Sequence, residues 1–328
     1  MFNKKILFIT GGTGSFGKKF ISYIFSNYKP NQVIVYSRDE LKQFEMRSQF
    51  PSDVFPIKYT IGDVRDKERL IRSMYKADFV VHSAAMKQVP TAEFNPSEAI
   101  KTNINGALNV VESCLDNNVN KVIALSTDKA CSPINLYGAT KLASDKIFAA
   151  ANNYHSSQKT KFSVVRYGNV AGSRGSVIPF FLSKKKDKFL PITDVKMTRF
   201  WITLDEGVQF VINSFSDMIG GELFIPKIPS TKIIDLAKAI APKAKFKIIG
   251  IRPGEKIHEY MISVDDALNT VEFKNHYVIQ PAHPWWDNIK YKKIKGGKKV
   301  TSEFSYSSNN NNQWLNEKQI KKMIKSFE

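Results

Sequence analysis

Residues 6–17, Ile6-Leu-Phe-Ile-Thr-Gly-Gly-Thr-Gly-Ser-Phe-Gly17, decide the fold of this chain. The apolar start predicts a buried strand, and Gly11, Gly14 and Gly17 follow it with Gly-x-x-Gly-x-x-Gly spacing before an amphipathic helix. Glycine at these positions lets the backbone approach a pyrophosphate that lies on the helix N-terminus. The stretch therefore predicts the first strand-turn-helix unit of a dinucleotide-binding domain. The same turn supplies three further expected cofactor contacts, Thr13, Ser15 and Phe16.

Strand-like apolar runs alternate with helical stretches through the first half of the chain. The six runs are Ile6 to Ile9, Val33 to Tyr36, Tyr59 to Ile61, Phe79 to Val81, Val122 to Leu125 and Phe162 to Val165. This alternation predicts an α/β fold with a Rossmann-type, doubly wound parallel sheet. Beyond Arg166, prolines and glycines break the pattern into short elements. We expect the nucleotide-binding domain over residues 1–170, with returning segments at about 200–228, and mostly a smaller substrate-binding lobe with a C-terminal tail over 171–328.

Capping residues predict where two helices begin. Asn95-Pro96-Ser97-Glu98 offers a cap, a proline at the first helical position and a carboxylate at the third, so a long helix should run to about Asn117. Thr203-Leu-Asp-Glu206 is a capping box at the start of a later helix. The polar patch Ser305 to Gln313 is expected to form a structured turn, because a helical segment follows Trp314.

Composition excludes several classes of protein. The 328 residues are 42% hydrophobic, which suffices for a full core, and no run reaches the ~20 apolar residues of a membrane span. The N-terminus leads straight into a strand rather than into a cleavable signal. Cys114 and Cys131 are too few for a disulfide framework and are expected to be buried or incidental thiols. We expect a soluble, cytoplasmic protein without a membrane partner.

The formal charge of +19 invites an interpretation as a nucleic-acid binder. The lysines are spread along the chain, without interleaved aromatic platforms or a recognisable nucleic-acid motif. A solvated surface is the simpler explanation, and we expect no nucleic-acid partner. Steeply salt-dependent binding to duplex DNA would be the minimum support for the opposite hypothesis.

The end of the second predicted strand indicates which nicotinamide cofactor binds. The acidic residue that usually holds the ribose hydroxyls is replaced by Ser37-Arg38. Arg38, helped by Ser37 and Lys42, suits a 2′-phosphate, whereas Asp39 and the residue after it should begin the next helix. The sequence therefore favours NADP. The alternative is that Arg38 is a surface cation and Asp39 serves NAD.

Further cofactor contacts follow from the fold. Residues after the third and fourth strands of such a sheet face the adenine and the rest of the dinucleotide. The expected contacts there are Asp63, Val64, Ala84, Ala85 and Lys87. We predict no metal site.

A threonine, a tyrosine and a lysine carry the expected chemistry. Tyr137 and Lys141 are four residues apart on a predicted helix and so share one face, while Thr127 ends the preceding strand. Thr127 can hydrogen-bond a sugar hydroxyl, Tyr137 can remove its proton, and Lys141 can hold the ribose and lower the pKa of the phenol. The set predicts reversible hydride transfer at a carbinol.

Asp128 and Lys129 indicate a second reaction at the same place. Oxidation of a sugar at C4 makes the C5 proton acidic, so that a base can remove it while an acid helps to expel the C6 hydroxyl. Lys129 fits the base if its pKa is lowered by Lys141 and the oxidised cofactor, and Asp128 fits the acid if burial raises its pKa. Returning the hydride to C6 completes a 4,6-dehydration. The alternative is that the two residues form only a loop salt bridge.

Motifs along nearly the whole chain closely resemble the inverting UDP-N-acetylglucosamine 4,6-dehydratases. They are Gly11 to Gly17, Tyr36 to Lys42, Gly62 to Asp66, Leu125 to Ala130, Asn135 to Lys141, Arg166 to Val170, Gly172 to Ser176, Thr198 to Ile202, Gly250 to Lys256 and the tail from Tyr306 to Trp314. The resemblance implies an extended short-chain dehydrogenase/reductase that acts on UDP-N-acetylglucosamine. It also implies the first step of pseudaminic acid biosynthesis, which serves flagellin glycosylation, and a homo-oligomer, by family likeness a hexamer.

The resemblance also assigns roles to single residues. It implies that Lys129 is the base that permits reprotonation on the opposite face of C5, whereas C5-retaining relatives carry glutamate there. The implied substrate contacts are Lys87, Asn169, Val170, Arg174, Arg252 and Glu255. Some membrane-bound relatives lack the tyrosine, whereas this chain keeps Tyr137. The stretch from Asp265 to Val300 departs most from the family pattern.

Three other functions stay open on sequence alone. A C5-retaining 4,6-dehydratase and a C4 epimerase would act on the same UDP-sugar, and C5 hydrogen exchange with the configuration of the keto product separates them. An NADP-sensing regulatory protein would keep the fold without catalysis. The Tyr137 and Lys141 pair argues against that last hypothesis.

Overall fold

The computed structural model describes residues 1–154, 159–173, 176–282 and 296–325. The strands within these ranges are β1 (Ile6–Thr10), β2 (Gln32–Ser37), β3 (Ile57–Ile61), β4 (Phe79–His82), β5 (Lys121–Thr127), β6 (Lys161–Tyr167), β7 (Asn169–Val170), β8 (Phe189–Ile192), β9 (Thr198–Ile202), β10 (Leu223–Pro226), β11 (Ser230–Lys232), β12 (Lys245–Ile248), β13 (Tyr260–Ile262), β14 (Thr270–Glu272), β15 (His276–Ile279), β16 (Lys298–Lys299) and β17 (Tyr306–Ser307).

The α-helices within the same ranges are α1 (Ser15–Asn27), α2 (Glu40–Arg47), α3 (Lys67–Ser73), α4 (Val89–Phe94), α5 (Pro96–Ile100), α6 (Gly106–Asp116), α7 (Leu136–Ala150), α8 (Val177–Ser183), α9 (Leu204–Asp217), α10 (Ile233–Ile240), α11 (Val264–Ala267) and α12 (Glu317–Lys325). A π-helical stretch covers Lys101–Asn105. Two 3₁₀ turns cover Asp128–Ala130 and Ala151–Asn153.

Ten strands form one sheet in the order β16-β14-β15-β10-β6-β5-β4-β1-β2-β3. The strands from β10 to β3 along this order pair in parallel, and β15, β14 and β16 extend the sheet with antiparallel pairs. The order in which successive strands are added to the sheet reverses between β1 and β4. Doubly wound folds bind ligands at this point. The predicted Rossmann-type fold is confirmed.

The inner parallel strands are largely apolar because both of their faces are covered. In β1, Leu7 and Ile9 pack into the core on one face of the sheet, and Phe8 packs into the core on the other. Helices α1 and α9 pack on each other over the first face, and α3, α6 and α7 cover the second. Such two-sided burial is typical of parallel sheets and explains the near-continuous apolar runs in the sequence.

The predicted helix between β4 and β5 forms with Asn95 at its N-cap position, but the Asn95 side chain does not cap it. It consists of α5, the π-helical stretch and α6, and it ends at Asp116. The Asn95 amide donates to the Thr91 carbonyl at 2.9 Å instead of capping α5, because α4 ends at Phe94 and Asn95 satisfies that helix end. Pro96 takes the first helical position, as predicted. The capping box of Thr203 and Glu206 at α9 is confirmed.

Smaller sheets build the C-terminal part. They pair β11 with β9 and β9 with β7, β12 with β8, and β13 with β17, and a third core lies between α8, α10 and α12. The polar patch at 305–313 is structured, as predicted. Within it, the buried Asn311 donates to the Ile228 carbonyl at 2.8 Å and to Ser230 Oγ at 2.9 Å.

Both cysteines are buried and unpaired, as expected. Within the described ranges, none of the helices combines the length and the apolar composition that crossing a membrane requires. Residues 283–295 of the divergent stretch from Asp265 to Val300 lie outside the described residues, as does Arg174.

Candidate active site

A cavity of about 590 Å³ opens at the carboxyl ends of the parallel strands, at the switch in strand order between β1 and β4. It brings together fifteen of the sixteen predicted cofactor residues: Gly11, Thr13, Gly14, Ser15, Phe16, Gly17, Ser37, Arg38, Lys42, Val64, Ala84, Ala85, Lys87, Tyr137 and Lys141. The sixteenth, Asp63, does not line the cavity. Its carboxylate accepts a hydrogen bond from Arg65 Nε at 2.9 Å and lies 3.5 Å from the Arg38 guanidinium.

The glycine turn fits a pyrophosphate. A Cβ atom on Gly17 would lie 2.3 Å from the Gly12 carbonyl oxygen, so only glycine lets α1 start this close to β1. Gly14 stands at the N-cap of α1, and no side chain caps the helix there. The first N–H groups of α1 therefore face the cavity at the positive end of the helix dipole, where an anion is stabilised.

After the end of β2, Arg38, Asp39 and Lys42 line the cavity. Asp39 is the N-cap of α2: its Oδ1 accepts from the Lys42 backbone N–H at 2.9 Å, and its Oδ2 pairs with the Lys42 ammonium. The prediction that Asp39 begins this helix is confirmed. Ser37 Oγ lies 2.9 Å from Thr13 Oγ1, and more than half of the Arg38 side chain is exposed beside them.

The predicted catalytic residues meet where β5 ends and α7 begins. Thr127 closes β5, and its hydroxyl accepts from the Lys129 N–H as the chain enters a 3₁₀ turn. Asn135 caps α7 by accepting from the Gly138 N–H at 2.8 Å. One turn apart on this helix, Tyr137 and Lys141 are both buried and line the cavity with Thr127. The shared face predicted from their spacing is confirmed.

The pKa of Tyr137 differs from the prediction. Burial raises it to about 12, because the loss of solvent outweighs the positive charge of Lys129 and a hydrogen bond with Thr127. The expected lowering by Lys141 is therefore wrong for this structure. Burial instead lowers the pKa of Lys141, and the nearby Asp145 carboxylate opposes that shift only in part.

Lys129 lies between two buried carboxylates. Its Nζ is 3.0 Å from Asp128 Oδ1 and 3.2 Å from Glu259 Oε1. Burial raises the pKa of Asp128, as predicted for a proton donor, and the Lys129 ammonium opposes this shift. The predicted lowering of the Lys129 pKa is wrong: burial lowers it, but the two carboxylates raise it by more. The pair is thus an ion pair, but a desolvated one rather than an exposed loop bridge.

Sequence reasoning missed the residues that support this cluster. Glu259 is 130 positions from Lys129 and reaches it from the C-terminal lobe. Asp145 accepts from Ser126 Oγ at 2.7 Å and from Arg166 at 3.1 Å, which anchors α7 to β5 and β6. The available signal for Glu259 was the motif Gly250 to Lys256, which ends three residues before it.

The segment around Gly254 crosses the catalytic turn. Lys256 Nζ donates to the Cys131 carbonyl at 2.7 Å, and Asn135 Nδ2 donates to the Gly254 carbonyl at 2.8 Å. Arg252 and Glu255 of this segment pair with each other and do not line the cavity. Three other expected substrate contacts do line it: Lys87, Asn169 and Val170.

The π-helical stretch positions the loop after β4. Asn103 within it is buried, accepts from the Met86 N–H at 2.8 Å, and donates to the Met86 carbonyl at 2.9 Å and to Thr140 Oγ1 at 3.0 Å. One side chain thus ties the loop that carries Lys87 to α7. A π-turn inside an α-helix is frequent at functional sites.

Known proteins share this architecture. The family described as "Polysaccharide biosynthesis protein" matches residues 7–281. A UDP-N-acetylglucosamine 4,6-dehydratase (inverting) of Campylobacter jejuni serotype O:2 is 59% identical, covering 100% of this chain and 99% of that protein. A UDP-glucose 4-epimerase of Rickettsia canadensis is 40% identical, with 99% and 96% covered.

Two solved structures are also similar. Pen from Bacillus thuringiensis superimposes with a TM-score of 0.90 at 34% identity, covering 100% of this chain and 98% of that one. DesIV, a dTDP-glucose 4,6-dehydratase from Streptomyces venezuelae with NAD and TYD bound, gives a TM-score of 0.71 at 18% identity, with 98% and 96% covered. At that identity, the second likeness indicates the fold alone.

Proposed function

This chain belongs to the polysaccharide biosynthesis protein family, as the resemblance indicated, and we propose that it is an NADP-dependent UDP-N-acetylglucosamine 4,6-dehydratase that inverts C5. The observation that carries the proposal is the position of Lys129. Its ammonium group is held by buried carboxylates in the wall of the same cavity that Tyr137 and Lys141 line. A base and a hydride-transfer set therefore face one substrate.

The nicotinamide supplies hydride acceptance from C4 and hydride return to C6, with no net redox change. The first turn of α1 binds the pyrophosphate, and Lys141 holds the ribose. Arg38 and Lys42 favour a 2′-phosphate, because Asp39 already caps α2 and pairs with Lys42, and Asp63, which lies beside Arg38, does not line the cavity.

Four side chains carry the proton transfers. Thr127 hydrogen-bonds the C4 hydroxyl, and Tyr137 takes its proton in the phenolate form, so this step speeds up as pH rises toward the pKa of the phenol. The C4 ketone acidifies C5. Lys129 as free amine then takes the C5 proton while Asp128 protonates the departing C6 hydroxyl, which leaves as water. Lys129 returns a proton to the opposite face of C5.

The product of this sequence is UDP-2-acetamido-2,6-dideoxy-β-L-arabino-hex-4-ulose. Incubation of the purified protein with UDP-N-acetylglucosamine and NADP⁺ in heavy water, followed by NMR, tests it. We expect a C6 methyl group, one solvent deuteron at C5 and the L-arabino configuration. A D-configured 6-deoxy-4-keto product would identify a C5-retaining enzyme instead. Unchanged UDP-N-acetylglucosamine would support the NADP-sensing hypothesis.

The epimerase relatives at 40% identity make C4 epimerisation the second candidate. Asp128 and Lys129 favour dehydration, because an epimerase needs only the transfer of hydride and one proton at C4. In the same NMR experiment, an epimerase would leave the C6 hydroxymethyl group intact and incorporate no deuterium at C5.

We also propose the wider setting that the resemblance implies. The chain acts in the cytoplasm as a homo-oligomer, by family likeness a hexamer, in the first step of pseudaminic acid biosynthesis. Residues 1–170, with the returning segments, bind the cofactor, and most of 171–328 binds the sugar. The unpaired thiols of Cys114 and Cys131 suit a reducing compartment. Light scattering on the purified chain tests the assembly.

A further inference from the structure

Glu259 is a buried carboxylate for which the proposed catalytic set has no role. It stands one residue before β13, and its side chain is 3% exposed. Its Oε1 lies 3.2 Å from Lys129 Nζ and 3.7 Å from Arg199 Nε. Within the described part of the chain, its other oxygen, Oε2, has no hydrogen-bond partner. Such a desolvated charge is unfavourable unless its partners compensate.

The backbone around Glu259 is fixed from two sides. Its N–H donates to Ser308 Oγ at 2.9 Å, and the Ser308 N–H donates back to its carbonyl at 2.8 Å. The Arg199 guanidinium donates to the carbonyls of Lys256 at 2.9 Å and Ile257 at 3.0 Å. The backbone that carries Glu259 is therefore held against β9 and the polar turn at 305–313, with its carboxylate beside Lys129.

The two carboxylates beside Lys129 differ in electrostatic character. Burial favours a higher pKa for both carboxyl groups. The net pKa of Asp128 is raised, whereas Lys129 and Arg199 hold that of Glu259 below its usual range. Tyr137 and Lys256 are the other titratable groups coupled to Lys129. Of the two carboxylates, Asp128 is therefore the one that accepts a proton readily.

We propose that Glu259 is a positioning residue whose permanent negative charge holds the Lys129 amine in the cavity wall while Asp128 exchanges the proton with it. This inference rests on the proposed function. The Lys129 ammonium passes a proton to Asp128, 3.0 Å away, which leaves a free amine and a carboxylic acid. The amine takes the C5 proton, and the acid protonates the C6 hydroxyl, which leaves as water. The pair thereby returns to ammonium and carboxylate.

Glu259→Gln keeps the shape of the side chain and removes its charge. We expect the titration of the Lys129 amine to move down by about one pH unit, since a nearby opposite charge shifts a pKa by this order. The acid limb of kcat/KM should move down with it, and kcat should fall by about tenfold or more. Glu259→Asp, which keeps the charge, should restore the titration towards that of the wild type. If Glu259→Gln does not fold, the test rests on Glu259→Asp, in which the Lys129 amine should titrate at the same pH as in the wild type.

The titration is measured on the full-length protein by competitive acetylation with acetic anhydride across the pH range. Mass spectrometry of the Lys129 peptide then reports the reactive amine independently of turnover. The matched control is Glu222→Gln, which removes another buried glutamate, hydrogen-bonded to Ser163 Oγ at 2.6 Å. It should leave the Lys129 titration unmoved.

An unchanged Lys129 titration in Glu259→Gln overturns the inference, and so does an equal shift in Glu222→Gln. A wild type that makes no 6-deoxy-4-keto sugar refutes the proposed function by itself. In that case the acetylation profiles still decide whether Glu259 sets the charge of Lys129.

Discussion

The backbone of Gly138, in the first turn of α7, lies against the carbonyl oxygen of Lys129 so closely that a Cβ atom on Gly138 would be 2.2 Å from it. The helix that carries Tyr137 and the turn that carries Lys129 are thus in direct contact. Their relative position sets the distance between Tyr137 and Lys129, the proposed hydride-transfer residue and the proposed base.

Gly138→Ala should separate these two elements. Because the obstacle is backbone, we expect a loss of about 1–3 kcal/mol in the free energy of unfolding and a fall in kcat. Thermal denaturation and steady-state kinetics measure both. Gly207→Ala in α9 is the control, since its nearest neighbour would be 3.9 Å away, and it should be neutral or stabilising. Equal effects of the two substitutions would contradict the contact.

Lys129→Met should abolish dehydration while the fold and cofactor binding persist. General base catalysis contributes about 10²–10⁴-fold, so we expect a loss of at least 100-fold in kcat and in deuterium incorporation at C5. Product NMR in heavy water measures both. Lys146→Met, an exposed lysine on the same helix as Tyr137, should change neither. An inverted 6-deoxy product formed at full rate by Lys129→Met would exclude Lys129 as the base.

Arg38→Ala should discriminate between the cofactors. A charged hydrogen bond to a 2′-phosphate is worth about 1.5–3 kcal/mol, so the Kd for NADP⁺ should rise by about tenfold or more while that for NAD⁺ barely changes. Isothermal titration calorimetry measures the two affinities. Arg47→Ala, an exposed cation on the same helix as Lys42, is the control. A larger loss for NAD⁺ than for NADP⁺ would favour the alternative in which Asp39 serves NAD.

His82 makes the stability of the fold sensitive to acid. It is buried at the end of β4 with Nδ1 2.8 Å from Thr10 Oγ1, and burial, together with the charge of Lys141, lowers its pKa to about 3. The unfolded chain binds this proton below about pH 6.5, whereas the folded chain does not bind it until about pH 3. Stability is therefore lost as pH falls through this window, by up to about 1.4 kcal/mol per unit.

Urea denaturation between pH 7 and pH 4 measures this slope. In His82→Gln the slope should be shallower, because the titrating group is gone, even if the variant is less stable at pH 7. Parallel slopes for the variant and the wild type would mean that His82 is not held neutral by the fold.

Features that depend on residues close together in the sequence were predicted correctly. The glycine turn of residues 11–17, the six strands and the shared face of Tyr137 and Lys141 follow from periodicity and spacing, and the structure agrees. The Asn95 cap failed because α4 ends directly before it, and that helix carried no clear signal.

The predicted charge state of Lys129 was wrong for a different reason. It depends on Glu259, which only the tertiary fold brings within 3.2 Å of the amine. Contacts between segments 130 positions apart leave no trace in periodicity or local spacing. Arg199 and Asp145 were missed for the same reason, because their partners also lie on other elements.

Because Ser308 is hydrogen-bonded to Glu259, a late part of the chain completes the surroundings of Lys129. Strands β1 to β6 are synthesised well before position 308, so the segment that fixes Glu259 beside the Lys129 amine is made after them.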